Sequence, residues 1–218
     1  GKRWLEARVE QVNALRPDLV VLLGDIFEGH APPKPELLPV LGALSAPLGV
    51  WAVNGNHESH GGGDGGVRPF EKAGIQVLRN RWVEVRPGLV LFGVDDLSTG
   101  RQDGKGADSI AKAFAGRPPG AGIFLNHKPL LAGIAAREGA GLMLSGHTHG
   151  GQIWPFGYLV QRIYPLIGGR YEVDGMPVIV CRGTGTWGPR MRLWRPGEIL
   201  RVTLHAEGKQ FRSAAEQK

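Results

Sequence analysis

Four short apolar runs in this sequence each stop at side chains able to bind a metal ion. Residues 19–23, LVVLL, run into Gly24 and Asp25, and residues 50–53 run into NGNHE. Residues 122–125 end in Asn126 and His127, and residues 142–144 lead into SGHTHGGQ. Continuous apolar runs of this length mark strands buried on both faces. Between them the apolar spacing turns helical: Trp4, Leu5, Val9, Val12 and Leu15 before the first run, then residues 35–44, 68–73, 109–115 and 130–137. Strands alternating with helices predict an α/β fold with parallel pairing. In such sheets ligands bind in the crevice at the carboxyl ends of the strands, so one topology would gather Asp25, Asn56, His57, His127, His147 and His149 from four separate loops.

Each of these residues has a plain alternative. Asp25 after a glycine can form a turn, Asn56 can hold a left-handed backbone position, and a single histidine is more often a satisfied polar residue than a ligand. The combination is what carries weight. Five of the seven histidines sit at or just after apolar runs, whereas His30 and His205 do not and are read as inert; His60, in ESHGGGDGG, stays open. Glycine supports the pattern: 35 of 218 residues is roughly twice the usual share of about 7%, and it gathers beside the histidines and acids, where bare backbone can approach an ion closely.

GD at 24–25, GNHE at 55–58, NH at 126–127 and GHTHGGQ at 146–152 resemble, in order and spacing, the signature of calcineurin-like metallophosphoesterases. NALRPDLVVLLGD, VLRNRWVEVRPGLVLFGVDD and RGTGTWGPRMRL look like the membrane-associated bacterial phosphodiesterase branch, so the resemblance extends over essentially the whole chain. It implies a four-layer αββα sandwich with two mixed β-sheets, forming one domain over residues 1–218. It also implies a centre of two divalent ions (Mn, Fe or Zn) that hydrolyses phosphodiester or pyrophosphate bonds with metal-activated hydroxide. Asp25 would bridge the ions, Asn56, His127 and His147 would complete the second site, and His149 would belong to the first. His57 would act on the substrate, with Glu58 orienting it. The residue types suit that chemistry: paired cations polarise a phosphoryl group and lower the pKa of water, imidazole suits proton transfer, and neutral Asn56 supplies oxygen without adding charge.

The sequence departs from the family at its start. An Asp-x-His block on a first strand normally ligates the first metal, and the only aspartate before Asp25 is Asp18, on the approach to the strand. Either the first strand is missing by truncation, or this is a reduced form with one well-made site. The retained downstream pattern, His149 included, favours truncation. A catalytically impaired metal- or lipid-binding module on the same scaffold is the alternative function.

The rest of the chain bounds partners. Arg182, Arg190, Arg192, Arg195 and Arg201 face only Glu198 within residues 182–201, and the net charge is +6. Guanidinium groups suit phosphate oxygens, although a solvated face explains them as well. Nucleic acid is not expected, since no aromatic-basic RNA motif or helix-turn-helix spacing accompanies the charge. Metallo-β-lactamase chemistry is not expected either, because no Asp-His pair follows His147-x-His149. Cys181, alone in VIVC, reads as a small buried hydrophobe.

Residues 153–169, IWPFGYLVQRIYPLIGG, are too broken by proline and glycine to span a bilayer. They either cover the sheet or form an interfacial lip for a phospholipid-like substrate. Similar enzymes in the branch are membrane-associated, and some relatives cleave the pyrophosphate of a lipid-linked UDP-sugar. The expectation is a bacterial protein, soluble as written, with peripheral lipid contact. Asp174–Gly175 in YEVDGMPVIV signals a hairpin, and two further strands are expected near 191–194 and 199–204.

Overall fold

The computed structural model describes residues 1–27, 33–59, 67–96 and 105–206. His30 and His60 lie outside the described residues. The strands are β1 (Val20–Leu22), β2 (Val50–Ala52), β3 (Gln76–Val77), β4 (Arg81–Arg86), β5 (Leu89–Gly93), β6 (Ala121–Leu125), β7 (Leu142–Ser145), β8 (Gly169–Val173) and β9 (Met176–Val180). The helices are α1 (Lys2–Ala14), α2 (Leu38–Leu41), α3 (Asn56–Ser59), α4 (Arg68–Lys72), α5 (Lys105–Phe114), α6 (Ala132–Arg137) and α7 (Gly157–Ile163). They build two sheets. The smaller, β1-β2-β3, is parallel throughout. The larger runs β4-β5-β6-β7-β9-β8, parallel across its four inner strands and antiparallel at both edges.

Because side chains alternate along a strand, each buried strand contributes to two cores, and the apolar clusters separate the layers. Trp51, Val53 and Leu78 from the smaller sheet meet Leu91, Ile123, Leu125 and Leu144 from the larger, forming the core between sheets. A Cβ added at Gly93 would collide with Leu78, so glycine is what lets the sheets close there. On the outer side of the smaller sheet, Ala52 and Val77 pack with Leu5, Leu41 and Phe70 of α1, α2 and α4. On the outer side of the larger sheet, Phe92, Phe124 and Met143 pack with Ile110, Phe114 and Ala135 of α5 and α6. Helices, sheet, sheet and helices follow in order, which is the αββα sandwich.

The expected hairpin joins β8 to β9. Asp174 (φ 50°) and Gly175 (φ 77°) both occupy the left-handed region, as a two-residue turn matching strand twist requires. The two strands expected beyond it do not form among the described residues. Around 191–194 a single bridge links Leu193 to Ile153. There the Arg192 guanidinium donates to the carbonyls of Arg182, Gly183, Gly185 and His149, so a side chain takes the place of a ladder. Pro189 and Pro196 interrupt the run on either side. Residues 199–206 carry a strand-like alternation with no neighbouring strand among the described residues, and Leu200, Val202 and Leu204 stand exposed. Cys181, expected buried, is half-buried just past β9.

Candidate metal centre

Each candidate ligand sits two to four residues past the end of a parallel strand. Asp25 follows β1, Asn56 follows β2 as the first residue of α3, His127 follows β6 and His147 follows β7. The turns are tight. Asp25 (φ 53°), His147 (φ 67°) and His149 (φ 50°) hold left-handed backbone, which costs a non-glycine residue about 1 kcal/mol or more and tends to cluster at functional sites. The glycines beside them have a steric reason. A Cβ at Gly55 would run into Asp25 Oδ1, and one at Gly24 would lie 2.7 Å from His127 Nδ1.

The arrangement turns on His127. Its ring is 1% exposed, and Nδ1 lies 2.7 Å from the Leu23 carbonyl oxygen, which can only accept, so Nδ1 carries a proton. Nε2 therefore faces the centre. Around it stand Asp25 Oδ2 at 3.2 Å, Asn56 Oδ1 at 3.1 Å and His147 Nδ1 at 3.1 Å. On the far side of His147, Nε2 lies 3.0 Å from the Tyr164 hydroxyl; in the tautomer with its proton on Nε2, His147 donates to that oxygen and turns the Nδ1 lone pair inward. Burial, followed by the neighbouring His127 and Lys128, pushes His147 down to about 3, so the ring is neutral at pH 7.

With His147 Nδ1 unprotonated, the one proton among these four atoms is on His127 Nε2. It cannot satisfy Asp25, Asn56 and His147 at once. Burial would discharge His127, but the Asp25 carboxylate overrides this and moves its pKa up. Burial likewise raises Asp25, while the hydrogen bond and charge of His127, with the His57 amide, bring it down to about 2. A carboxylate, an amide oxygen and two imidazoles converging on one point match the donors a divalent cation takes, and the residues present therefore fit a metal. Ligand atoms of Asp25, His127 and His147 all lie within 4.8 Å of one another.

The remaining expected residues divide. His57 starts close by: its backbone N–H donates to Asp25 Oδ1 at 2.9 Å. His149, on a 3₁₀ turn at His149–Gly151, stands outside the tight group, with Nδ1 3.4 Å from the Arg192 guanidinium. Burial first and Arg192 second bring it down to about 4. Glu58 finds its partners on the main chain. Its oxygens accept from the N–H groups of Asp25 (2.8 Å), Ile26 (2.9 Å), Phe27 (3.1 Å) and Gly55 (2.9 Å). A carboxylate offers about four acceptor sites, and four amides fill them, so Glu58 clamps the two ligand loops together.

Three residues at the centre went unread in the sequence. Tyr164 lies 17 positions from the ring it holds, inside an apolar run that gave no polar signal. Lys128 and Asp96 form a buried ion pair, Nζ to Oδ1 3.3 Å, with side chains 8% and 1% exposed. The only hint was position, since Lys128 directly follows His127 and Asp96 closes the double aspartate past β5.

Comparison with known proteins agrees with this geometry. Residues 3–151 match the family model described as calcineurin-like phosphoesterase. The chain belongs to that family. Calcineurin-like phosphoesterases are metal-dependent hydrolases, and the matched residues include Asp25, Asn56, His57, His127, His147 and His149. Among relatives, an uncharacterized metallophosphoesterase of Aquifex aeolicus is 37% identical over 225 residues, 95% of this chain and 82% of that protein. A Bos taurus transmembrane protein with metallophosphoesterase domain is 32% identical over 94% of the chain, and an uncharacterized metallophosphoesterase of Campylobacter jejuni is 30% identical over 96%. The chain spans only 50% and 56% of the length of these last two proteins.

Proposed function

We propose that this chain is a phosphoesterase acting on phosphodiester or pyrophosphate bonds, lipid-linked phosphoesters being the substrate class that suits the apolar loop beside the centre. The observation carrying this is the convergence of Asp25, Asn56, His127 and His147 on one point. Those four would hold one divalent ion, and Asp25 and His149 would contribute to a second, as Mn, Fe or Zn. Bound there, divalent ions supply Lewis acidity toward the phosphoryl oxygens and lower the pKa of water.

The chain's own groups do the rest. His57 is anchored through its amide to Asp25, and its imidazole would deliver a proton to the leaving oxygen. Asn56 contributes oxygen without charge, so the centre stays net positive toward a phosphate. The Leu23 carbonyl fixes the tautomer of His127 and the Tyr164 hydroxyl orients the ring of His147, as partners behind metal ligands commonly do.

Hydrolysis of bis-p-nitrophenyl phosphate with added manganese tests the reading. His57→Ala is expected to reduce turnover by about 10²- to 10⁴-fold while metal content stays unchanged. Equal rates for the two proteins would discard the role given to His57. Metal uptake with no turnover in either protein would make the chain a binding module on the same scaffold.

A further inference from the structure

Among the described residues, every large apolar side chain more than half exposed lies between positions 154 and 194. Trp194 is 74% exposed, Ile163 69%, Tyr158 68% and Trp187 66%, with Trp154 and Phe156 close behind. Leu166, near the far end of residues 153–169, packs against the core of the larger sheet, but α7 buries no residue fully and leaves its apolar side chains outside.

These side chains belong to one surface. The Trp154 and Trp194 rings lie 5.6 Å apart, and Ile153 bridges Leu193. Gln152 fastens the second loop to the first: its Nε2 donates to the Trp187 carbonyl at 2.7 Å, and its Oε1 accepts from the Trp187 N–H at 2.7 Å. The same stretch of chain carries Tyr164, which holds His147, so the apolar rim and the metal centre share a wall.

Charge decides what such a rim fits. No aspartate or glutamate occurs from residue 139 to 171 or from 175 to 197. Arg162, Arg190 and Arg195, in the same two stretches of chain as the aromatic side chains, are exposed. Tryptophan and tyrosine favour the boundary between hydrocarbon and water, and guanidinium forks match phosphate oxygens. No described helix is long and apolar enough to cross a membrane, so contact through this face would lie in the interface plane.

We propose that the rim formed by residues 153–163 and 187–195 docks on an anionic lipid bilayer, its aromatic side chains entering the interface and Arg162, Arg190 and Arg195 meeting lipid phosphates. The inference concerns binding, so it is tested apart from hydrolysis.

The experiment is flotation of the whole chain with unilamellar vesicles of phosphatidylcholine, with or without phosphatidylglycerol. The wild type is expected to float with the anionic vesicles, and to release as salt brings the Debye length below about 10 Å. Trp154→Ser with Phe156→Ser is expected to reduce partitioning roughly tenfold or more. Arg162→Gln with Arg190→Gln and Arg195→Gln should abolish the preference for anionic vesicles. Unchanged circular dichroism and manganese uptake establish that both variants are folded. Failure of the wild type to float, or flotation of folded variants like the wild type, overturns the proposal. A concentration-dependent dimer that the serine variant abolishes, without vesicle binding, overturns it in favour of a second copy of the chain.

Discussion

Replacing Glu58 by glutamine separates a structural clamp from a catalytic group, because the two side chains share a shape and differ in what they accept. In the wild type, four main-chain N–H groups converge on a side chain that is 6% exposed. Glutamine keeps one oxygen, able to serve either the Ile26 and Phe27 amides or those of Asp25 and Gly55. The other pair then faces an NH₂ group, donor against donor. An unsatisfied buried donor costs about 1–3 kcal/mol, so two of them, with the charge assistance lost from the remaining pair, give a destabilisation of about 4 kcal/mol. For a chain of this size each kcal/mol lowers the melting temperature by about 2–4 °C, so the shift should be about 8–16 °C. Urea unfolding followed by circular dichroism gives the free energy directly. A variant within about 0.5 kcal/mol of the wild type whose turnover nonetheless collapses would refute the clamp and return Glu58 to the chemistry.

Two further substitutions probe the centre. Tyr164→Phe removes the acceptor behind His147 and should weaken manganese binding by about 10- to 100-fold, read by competition with a chelator; unchanged affinity would mean that Tyr164 does not orient the ring. Gly55→Ala places a methyl group against Asp25 Oδ1 and should abolish tight metal binding in protein that still folds, whereas wild-type affinity would show that the loop relaxes around it.

The inner strands were legible because they are buried on both faces. Val90 and Phe92 point toward the helices while Leu91 points toward the other sheet, so the sequence reads as a continuous apolar run with clear ends. The ligands were legible because they occupy those ends. Alternation in residues 199–206 was equally visible, but it specifies which face a residue shows and not which strand lies alongside. The region around Arg192 misled for another reason: carbonyls that a strand would pair are taken by one guanidinium. Glu58 reads as chemistry because its neighbour is His57, yet three of its four amide partners lie on a loop more than 30 residues away. Tyr164 was hidden the same way, since its partner is set by the path of α7 back across the centre.

Titration of the metal-free chain with Mn²⁺, followed by isothermal calorimetry, tests most directly whether four loops make one cation site. Saturation at about one tightly bound ion, lost in Asp25→Asn and in His147→Ala while both variants keep the wild-type circular dichroism spectrum, is the expected result. A wild type that takes up no ion, or one whose affinity survives both substitutions, would contradict the convergence of these side chains on a metal.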